Sequence, residues 1–110
     1  MPEFVIQEAK ITEYLLDLLH DVGCSKARFF LARGFRLDAW ENFAAAIKEL
    51  GLANPIAYRS ETSHGIKYVV DGKLRTPSGE EPMVRTVWIV DVGHSIPRLV
   101  TAFPFKGIKT

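Results

Sequence analysis

Three histidines, His20, His64 and His94, are the side chains of this sequence best suited to moving protons near neutral pH. They do not stand at the spacing that zinc ligands adopt, so no metal site is predicted. Cys24 is the single cysteine, and a buried, inert thiol is the role we expect for it. We take His20 and His64 as the candidate acid–base residues.

Basic residues are the second group that could do chemistry, by holding an anion. Arg85 interrupts an apolar stretch, so it must find water or a partner. The segment Cys24–Leu37 holds no acid and four basic residues, which are Lys26, Arg28, Arg33 and Arg36. This segment indicates either a local anion-attracting patch or an ordinary solvated helix face. The net charge of +1 gives no general signal for nucleic acid.

The elements that must position these residues fit in one domain. The chain has 110 residues, which is enough for one core. No apolar run approaches the ~20 residues that a membrane helix needs, and acids precede any apolar run at the N-terminus, unlike in a secretory signal. With one cysteine no internal disulfide forms. We therefore predict a single domain over residues 1–110 in the cytoplasm, without a cofactor, and a frayed polar tail, Lys106–Thr110.

Three helices are predicted in the first half of the domain, over residues 11–53. The first is Thr12–Leu19, capped by Thr12 and ended by Gly23. The second is Lys26–Arg33, capped by Ser25 and stopped by Gly34. The third begins at a capping box, in which the Asp38 carboxylate and Glu41 bond each other's backbone amides. Its apolar face is Trp40, Phe43, Ala44, Ile47 and Leu50, and Gly51 is the expected end.

Four strands are predicted in the second half, over residues 56–105. They are Ile56–Glu61, Ile66–Leu74 and the two halves of an apolar hairpin that begin at Met83 and Arg98, separated by turns rich in Gly, Pro and Ser. Connections this short make the strands an antiparallel meander. The predicted fold class is α+β, with three helices packed on one face of a four-stranded sheet.

Alternation along the strands predicts which side chains face the helices. Residues an odd number apart point to opposite faces, so Trp88 is predicted in the core and Arg85 on the other face. If Asp91 pairs with Arg98, Thr101 and Phe103 join the core face. The core face is then Tyr68, Val70, Leu74, Val84, Thr86, Trp88, Val90, Leu99, Thr101 and Phe103. We call the other side the open face; its predicted charged residues are Lys67, Asp71, Lys73, Arg85, Asp91 and Arg98.

Several segments together resemble an uncharacterised bacterial domain family. They are His64–Leu74 (HGIKYVVDGKL), Val84–Ile89 (VRTVWI), Pro97–Pro104 (PRLVTAFP) and, upstream, His20–Phe30 with Gly34–Phe35. Related domains occur at the C-termini of large bacterial toxins and as small free-standing proteins. Their layout, helices and then four strands, is similar to that of the barnase/EndoU/colicin/RelE-like ribonucleases, so the implied activity is an analogy from fold.

The resemblance implies RNA cleavage without a metal, which needs a base, an acid and a cation beside the phosphate. His20 or His64 would be the base, and Arg85 or Lys67 would hold the phosphate. The implied catalytic residues are His20, Lys26, His64, Arg85 and Thr101. The implied substrate-binding residues are Lys67, Thr86 and Arg98.

A second hypothesis comes from another class of protein. The near-zero net charge and the scattered candidates also suit a binding module without catalysis, such as an antitoxin, an immunity protein or a partner-docking domain. The expected partners are RNA and, as a protein partner, a cognate antitoxin or immunity protein.

Overall fold

The computed structural model of the protein describes residues 4–20 and 24–105. A short helical turn, α1 (Glu8–Lys10), continues into a π-helical turn, Ile11–Leu15. The remaining helical elements are α2 (Cys24–Leu31), a 3-10 turn (Leu37–Ala39) and α3 (Trp40–Ala53). The strands are β1 (Ile56–Thr62), β2 (Gly65–Lys73), β3 (Met83–Asp91) and β4 (Arg98–Pro104).

The four strands form one antiparallel sheet in the order β1-β2-β3-β4, which confirms the predicted meander and the α+β class. Each strand begins and ends within one or two residues of its predicted bounds. The N-terminal segment adds a single parallel bridge, since the amide of Val5 donates to the Pro97 carbonyl at 2.8 Å and its carbonyl accepts from Leu99 at 2.9 Å. This bridge lies along the outer edge of β4.

Buried residues of the helical part and of the sheet form one core cluster. Trp88 is only 1 % exposed, as predicted, and the ring of Phe4 lies against it with centroids 4.5 Å apart. Helix α3 does not end at Gly51 but runs to Ala53. A Cβ at Gly51 would lie 2.6 Å from Phe4 Cε2 and 2.9 Å from Trp88 Cζ2, so glycine here permits close packing instead of ending the helix.

Three predicted caps are wrong. Asp38 does not cap α3, because its two carboxylate oxygens accept from the Arg36 guanidinium at 2.8 Å each. Thr12 lies inside a helical turn that starts at Glu8, and its hydroxyl donates to the Glu8 carbonyl at 3.2 Å. In both cases the short side chain found another partner nearby, which is the usual competition at helix starts. Ser25 likewise lies within α2.

The pairing of β3 with β4 differs from the predicted register. Arg98 lies opposite Ile89, not Asp91, and the register shifts between Val87 and Trp88. One extra residue on β4 reverses the facing of the residues after it. Thr101 and Phe103 therefore leave the core face, and Ala102, fully buried, takes their place.

Two predictions fall on segments outside the described residues, namely the helix stop at Gly23 and the frayed tail Lys106–Thr110. Within the described part of the chain, no helix is long and apolar enough to cross a membrane.

Candidate functional site at the outer edge of strand β4

Tyr14 connects the N-terminal helical turns to the sheet. Ile11 and Leu15 are both fully buried and anchor the π-helical turn in the core, which leaves Tyr14 on the flank beside β4. Its hydroxyl lies 3.1 Å from Thr101 Oγ1, and either oxygen can donate the hydrogen bond. The β4 bulge makes this contact possible, because in the predicted register Thr101 would point into the core.

His20 joins the same place from the end of the N-terminal helical segment. Its ring meets the Tyr14 ring edge-on, with centroids 4.9 Å apart. The His20 amide donates to the Asp17 carbonyl at 3.2 Å, and its carbonyl accepts from the Cys24 amide at 3.0 Å. The histidine is therefore held between the N-terminal segment and the first residue of α2.

Two lysines complete the group. Lys10 Nζ lies 5.4 Å and Lys26 Nζ 5.6 Å from the centre of the Tyr14 ring, both within the range of a cation–π contact. Among the residues that the structure describes, neither lysine forms a salt bridge. We call this group the Tyr14 cluster: Lys10, Tyr14, His20, Lys26 and Thr101.

A surface groove of about 500 Å³ adjoins the cluster between α2 and β4. Lys26 lines it together with the aromatic rings of Phe29 and Phe103, and Ser25 and Pro104 complete the lining. Both rings are half-buried. We call this feature the α2–β4 groove.

Arg85, one of the predicted catalytic residues, is an ion-pair partner. It lies on the open face, as predicted, and donates to both carboxylate oxygens of Asp71, at 2.8 and 2.9 Å. Its guanidinium also lies 4.0 Å from the centre of the Phe105 ring. The hydrogen bonds to Asp71 raise the pKa of Arg85, against the smaller opposing effect of burial.

Arg98 is held in the same way. Its guanidinium donates to the two Asp91 oxygens at 2.7 and 3.0 Å. These hydrogen bonds raise the pKa of Arg98 and lower that of the Asp91 carboxyl. The side chains meet although the backbone register places Ile89 opposite Arg98. Two of the predicted anion-binding cations are thus already neutralised by carboxylates.

The remaining predicted residues lie elsewhere. Thr86 is fully buried, donates to the Val70 carbonyl at 2.8 Å and accepts from Trp88 Nε1 at 2.8 Å. A substrate at the surface does not reach it, so its predicted binding role does not fit the structure. Lys67 lies on the open face opposite Ile89.

His64 occupies the exposed turn between β1 and β2. Strand β3 separates β2 from β4, and two strand spacings amount to about 10 Å. His64 and Thr101 are also displaced along the strands, because Gly65 pairs with Asp91 and Thr101 with Val87. The structure therefore brings together His20, Lys26 and Thr101, and leaves His64, Arg85, Lys67 and Arg98 outside that cluster.

Two arginines of the basic segment Cys24–Leu37 already have acidic partners outside the segment. Arg33 lies over the Phe29 ring at 3.7 Å and donates to the Phe29 carbonyl at 3.0 Å. Its Nε lies 3.7 Å from Glu80 Oε1, which is too far for a hydrogen bond but close enough for attraction. Arg36 is paired with Asp38. The segment is mostly a solvated helix face, and Lys26 is the residue that it contributes to the cluster.

Tyr14 and Lys10 were missed by the sequence reasoning. Tyr14 and Thr101 are 87 residues apart in the chain, so no spacing in the sequence predicts their contact. In the part of the chain that the structure describes, no three residues among His, Cys, Asp and Glu are grouped to hold a metal ion.

Residues 1–106 match the family described as "Domain of unknown function (DUF6883)". The chain belongs to this family. The resemblance to an uncharacterised domain family, drawn from the strand motifs, is confirmed. No curated protein matches the sequence.

This DUF6883 member also shares its fold with a solved structure. That structure is described as "Contact-dependent growth inhibition toxin - immunity protein complex from Klebsiella pneumoniae 342". The superposition has a TM-score of 0.71 at 16 % identity, and it covers 92 % of this chain and 99 % of that chain. At that identity the similarity shows the fold and nothing further.

Proposed function

We propose that this protein is a toxin domain that cleaves RNA without a metal, with the Tyr14 cluster as its active site. The observation that carries the proposal is the convergence of His20, Lys26 and Thr101 on one tyrosine. These residues come from the N-terminal segment, α2 and β4, and all three are among the catalytic residues that the sequence implied. An imidazole, two ammonium groups and two hydroxyls at one surface are the groups that such a cleavage needs.

The reaction is an attack of the ribose 2′-oxygen on the neighbouring phosphorus. His20 takes the 2′-hydroxyl proton while the O2′–P bond forms and the P–O5′ bond breaks. The Tyr14 hydroxyl gives its proton to the leaving 5′-oxygen, and exchange with water restores both residues. Lys26 and Lys10 stabilise the negative charge on the phosphorane. The products are a 2′,3′-cyclic phosphate and a 5′-hydroxyl end.

A place in a toxin–immunity system is supported by the fold comparison, and we take the toxin role within it. The similar chain comes from a complex of a toxin with its immunity protein, and it is aligned over nearly its whole length. We extend that setting to this chain, so a cognate immunity protein is the expected protein partner. RNA is the expected substrate.

Incubation of the purified protein with total RNA in EDTA tests the activity. We expect cleavage with cyclic-phosphate ends, and a loss of about 10²- to 10⁴-fold in rate for His20→Ala. Lys26→Ala should lose activity as well, whereas Arg28→Ala, which removes an exposed cation from the same helix, should not. An intact RNA pool at micromolar wild-type protein, with no growth arrest on expression, would overturn the proposal.

A binding module without catalysis is the second candidate. The observation in its favour is that Arg85 and Arg98 on the open face are occupied by Asp71 and Asp91, so that face holds no preformed anion site on these arginines. The related complex also contains an immunity protein as well as a toxin. A stable one-to-one complex with the product of an adjacent gene, together with inert RNA in the assay above, would favour this candidate.

A further inference from the structure

We infer that the α2–β4 groove binds an unpaired nucleotide base, so that the substrate is single-stranded next to the cleaved phosphate. The inference rests on the proposed function for the identity of the ligand as RNA. It adds a second subsite, separate from the Tyr14 cluster but sharing Lys26 with it.

Phe103 lines the groove because of the β4 bulge. In the regular register Phe103 would lie in the core, whereas the shift between Val87 and Trp88 turns it to the other face, opposite Arg85. A large aromatic ring that is half-buried at the surface is then open to a ligand. Pro104 lies beside it in the groove.

Phe29, the second aromatic ring of the groove, is held in place by Arg33 and Phe30. Phe29 carries the Arg33 guanidinium at 3.7 Å from its ring centre and packs edge-on to Phe30 with centroids 5.3 Å apart. Phe30 itself is fully buried. The groove therefore has one aromatic ring from each of two separate elements. Its Phe29 ring is already held in place, which lowers the entropy cost of binding a planar group.

The positive charge beside the groove favours a nucleotide over an apolar peptide side chain as its ligand. Lys26 lines the groove, and its ammonium group also lies over Tyr14 beside His20 and Lys10. A base in the groove would thus carry its phosphate towards two lysines. Proteins bind single strands by this combination of aromatic stacking and nearby cations. A base inside a duplex is stacked and paired, so it is not free to enter the groove.

Binding to DNA tests the groove independently of cleavage, because DNA lacks the 2′-hydroxyl that the reaction requires. A short fluorescein-labelled single strand and the same strand annealed to its complement are titrated with protein, and anisotropy is recorded. We expect wild type to bind the single strand more tightly than the duplex. Phe103→Ala should weaken single-strand binding by roughly 5- to 100-fold, while Phe103→Tyr, which keeps the ring, should bind as wild type does.

Two comparisons separate this inference from the proposed function. His20→Ala should retain DNA binding although it loses cleavage, because the imidazole acts on the reacting atoms and not on the base. Thermal melting of Phe103→Ala and Phe103→Tyr shows whether both are folded at the assay temperature, and Phe103→Leu supplies an apolar, non-aromatic variant of similar bulk. Equal binding of single strand and duplex, or equal binding by the Leu and Tyr variants, overturns the inference even if RNA is cleaved. Single-strand binding that depends on the ring supports the groove even if no RNA is cleaved.

Discussion

The open sheet face and the Tyr14 cluster both present cations, but their cations have different partners. On the open face, Arg85 and Arg98 each donate two hydrogen bonds to a carboxylate, with distances between 2.7 and 3.0 Å. In the cluster, Lys10 and Lys26 lie over an aromatic ring instead. A ring attracts a cation weakly and leaves its charge available to an incoming anion.

This difference shows that a cation in a strand is a poor sign of a binding site until its cross-strand neighbour is known. Arg85 interrupts an apolar strand, and it does find the partner that such a residue needs. The partner is Asp71, directly opposite on β2, where opposite charges stabilise the pair. We therefore propose that the arginines of the open face contribute to stability and that the Tyr14 cluster is the active site.

The largest effect that separates the two regions is expected for Arg85→Ala. Its side chain is 28 % exposed and that of Asp71 is 15 % exposed, so the substitution leaves a mostly buried carboxylate unpaired. We expect the free energy of unfolding, measured in urea, to fall by about 2–3 kcal/mol, below the cost of breaking a fully buried pair. RNA cleavage per folded molecule should be unchanged. This reverses the prediction from the sequence, in which Arg85 was a catalytic residue.

Two controls accompany that measurement. The double variant Asp71→Ala with Arg85→Ala should recover part of the lost stability, because no unpaired charge is left. Lys73→Ala, an exposed position on β2, should change stability by no more than about 0.5 kcal/mol. If Arg85→Ala melts like wild type and loses cleavage, the open face is the active site and our assignment is reversed.

Thr101→Val is expected to have a smaller effect on stability than Arg85→Ala but, unlike it, to reduce cleavage. The variant keeps the shape of the side chain but removes the hydroxyl that bonds Tyr14, at a cost of about 1 kcal/mol in stability. If the Tyr14 hydroxyl is oriented by this bond, cleavage should fall roughly tenfold, and Thr101→Ser should restore it. Activity of the Val variant equal to that of wild type would remove Thr101 from the site.

Much of the fold could be predicted because its signals are local. The four strands follow from β-branched and aromatic runs between turn residues, and the face of Trp88 follows from alternation alone. The caps were less predictable, since Asp38 had two partners within reach and bound Arg36. The bulge on β4 has no clear sequence signal, and it moved Thr101 and Phe103 from the core to the surface.

The candidate site was only partly predictable for the same reason. The reaction that the resemblance implied, together with residue type, selected His20, Lys26 and Thr101. Residue type could not separate them from His64 or Arg85, since that choice depends on which strand edges and helix ends meet. Tyr14, at the centre of the cluster, gave no signal because its contacts are all made in the folded state.

The smallest expected effect is a dependence on pH that tests whether Arg98 is occupied as Arg85 is. In the folded protein the Arg98 guanidinium holds the pKa of the Asp91 carboxyl below its ordinary value, which is about 3.9 in an unfolded chain. The ionised carboxylate therefore stabilises the fold above that value, and its contribution is lost as the pH falls through the lowered folded pKa. We compare the free energy of unfolding of wild type and Asp91→Asn from pH 7 to pH 3, since the other carboxyl groups cancel in the difference. Wild type should be the more stable at pH 5–7, and its advantage should shrink below about pH 4.

Asp38→Asn is the matched control, because Asp38 pairs with Arg36 where both side chains are about 70 % exposed, so solvent should screen most of its effect. A difference between wild type and Asp91→Asn that stays constant down to pH 3 would mean that Arg98 is free in solution, and the open face would then regain one cation for an anionic ligand.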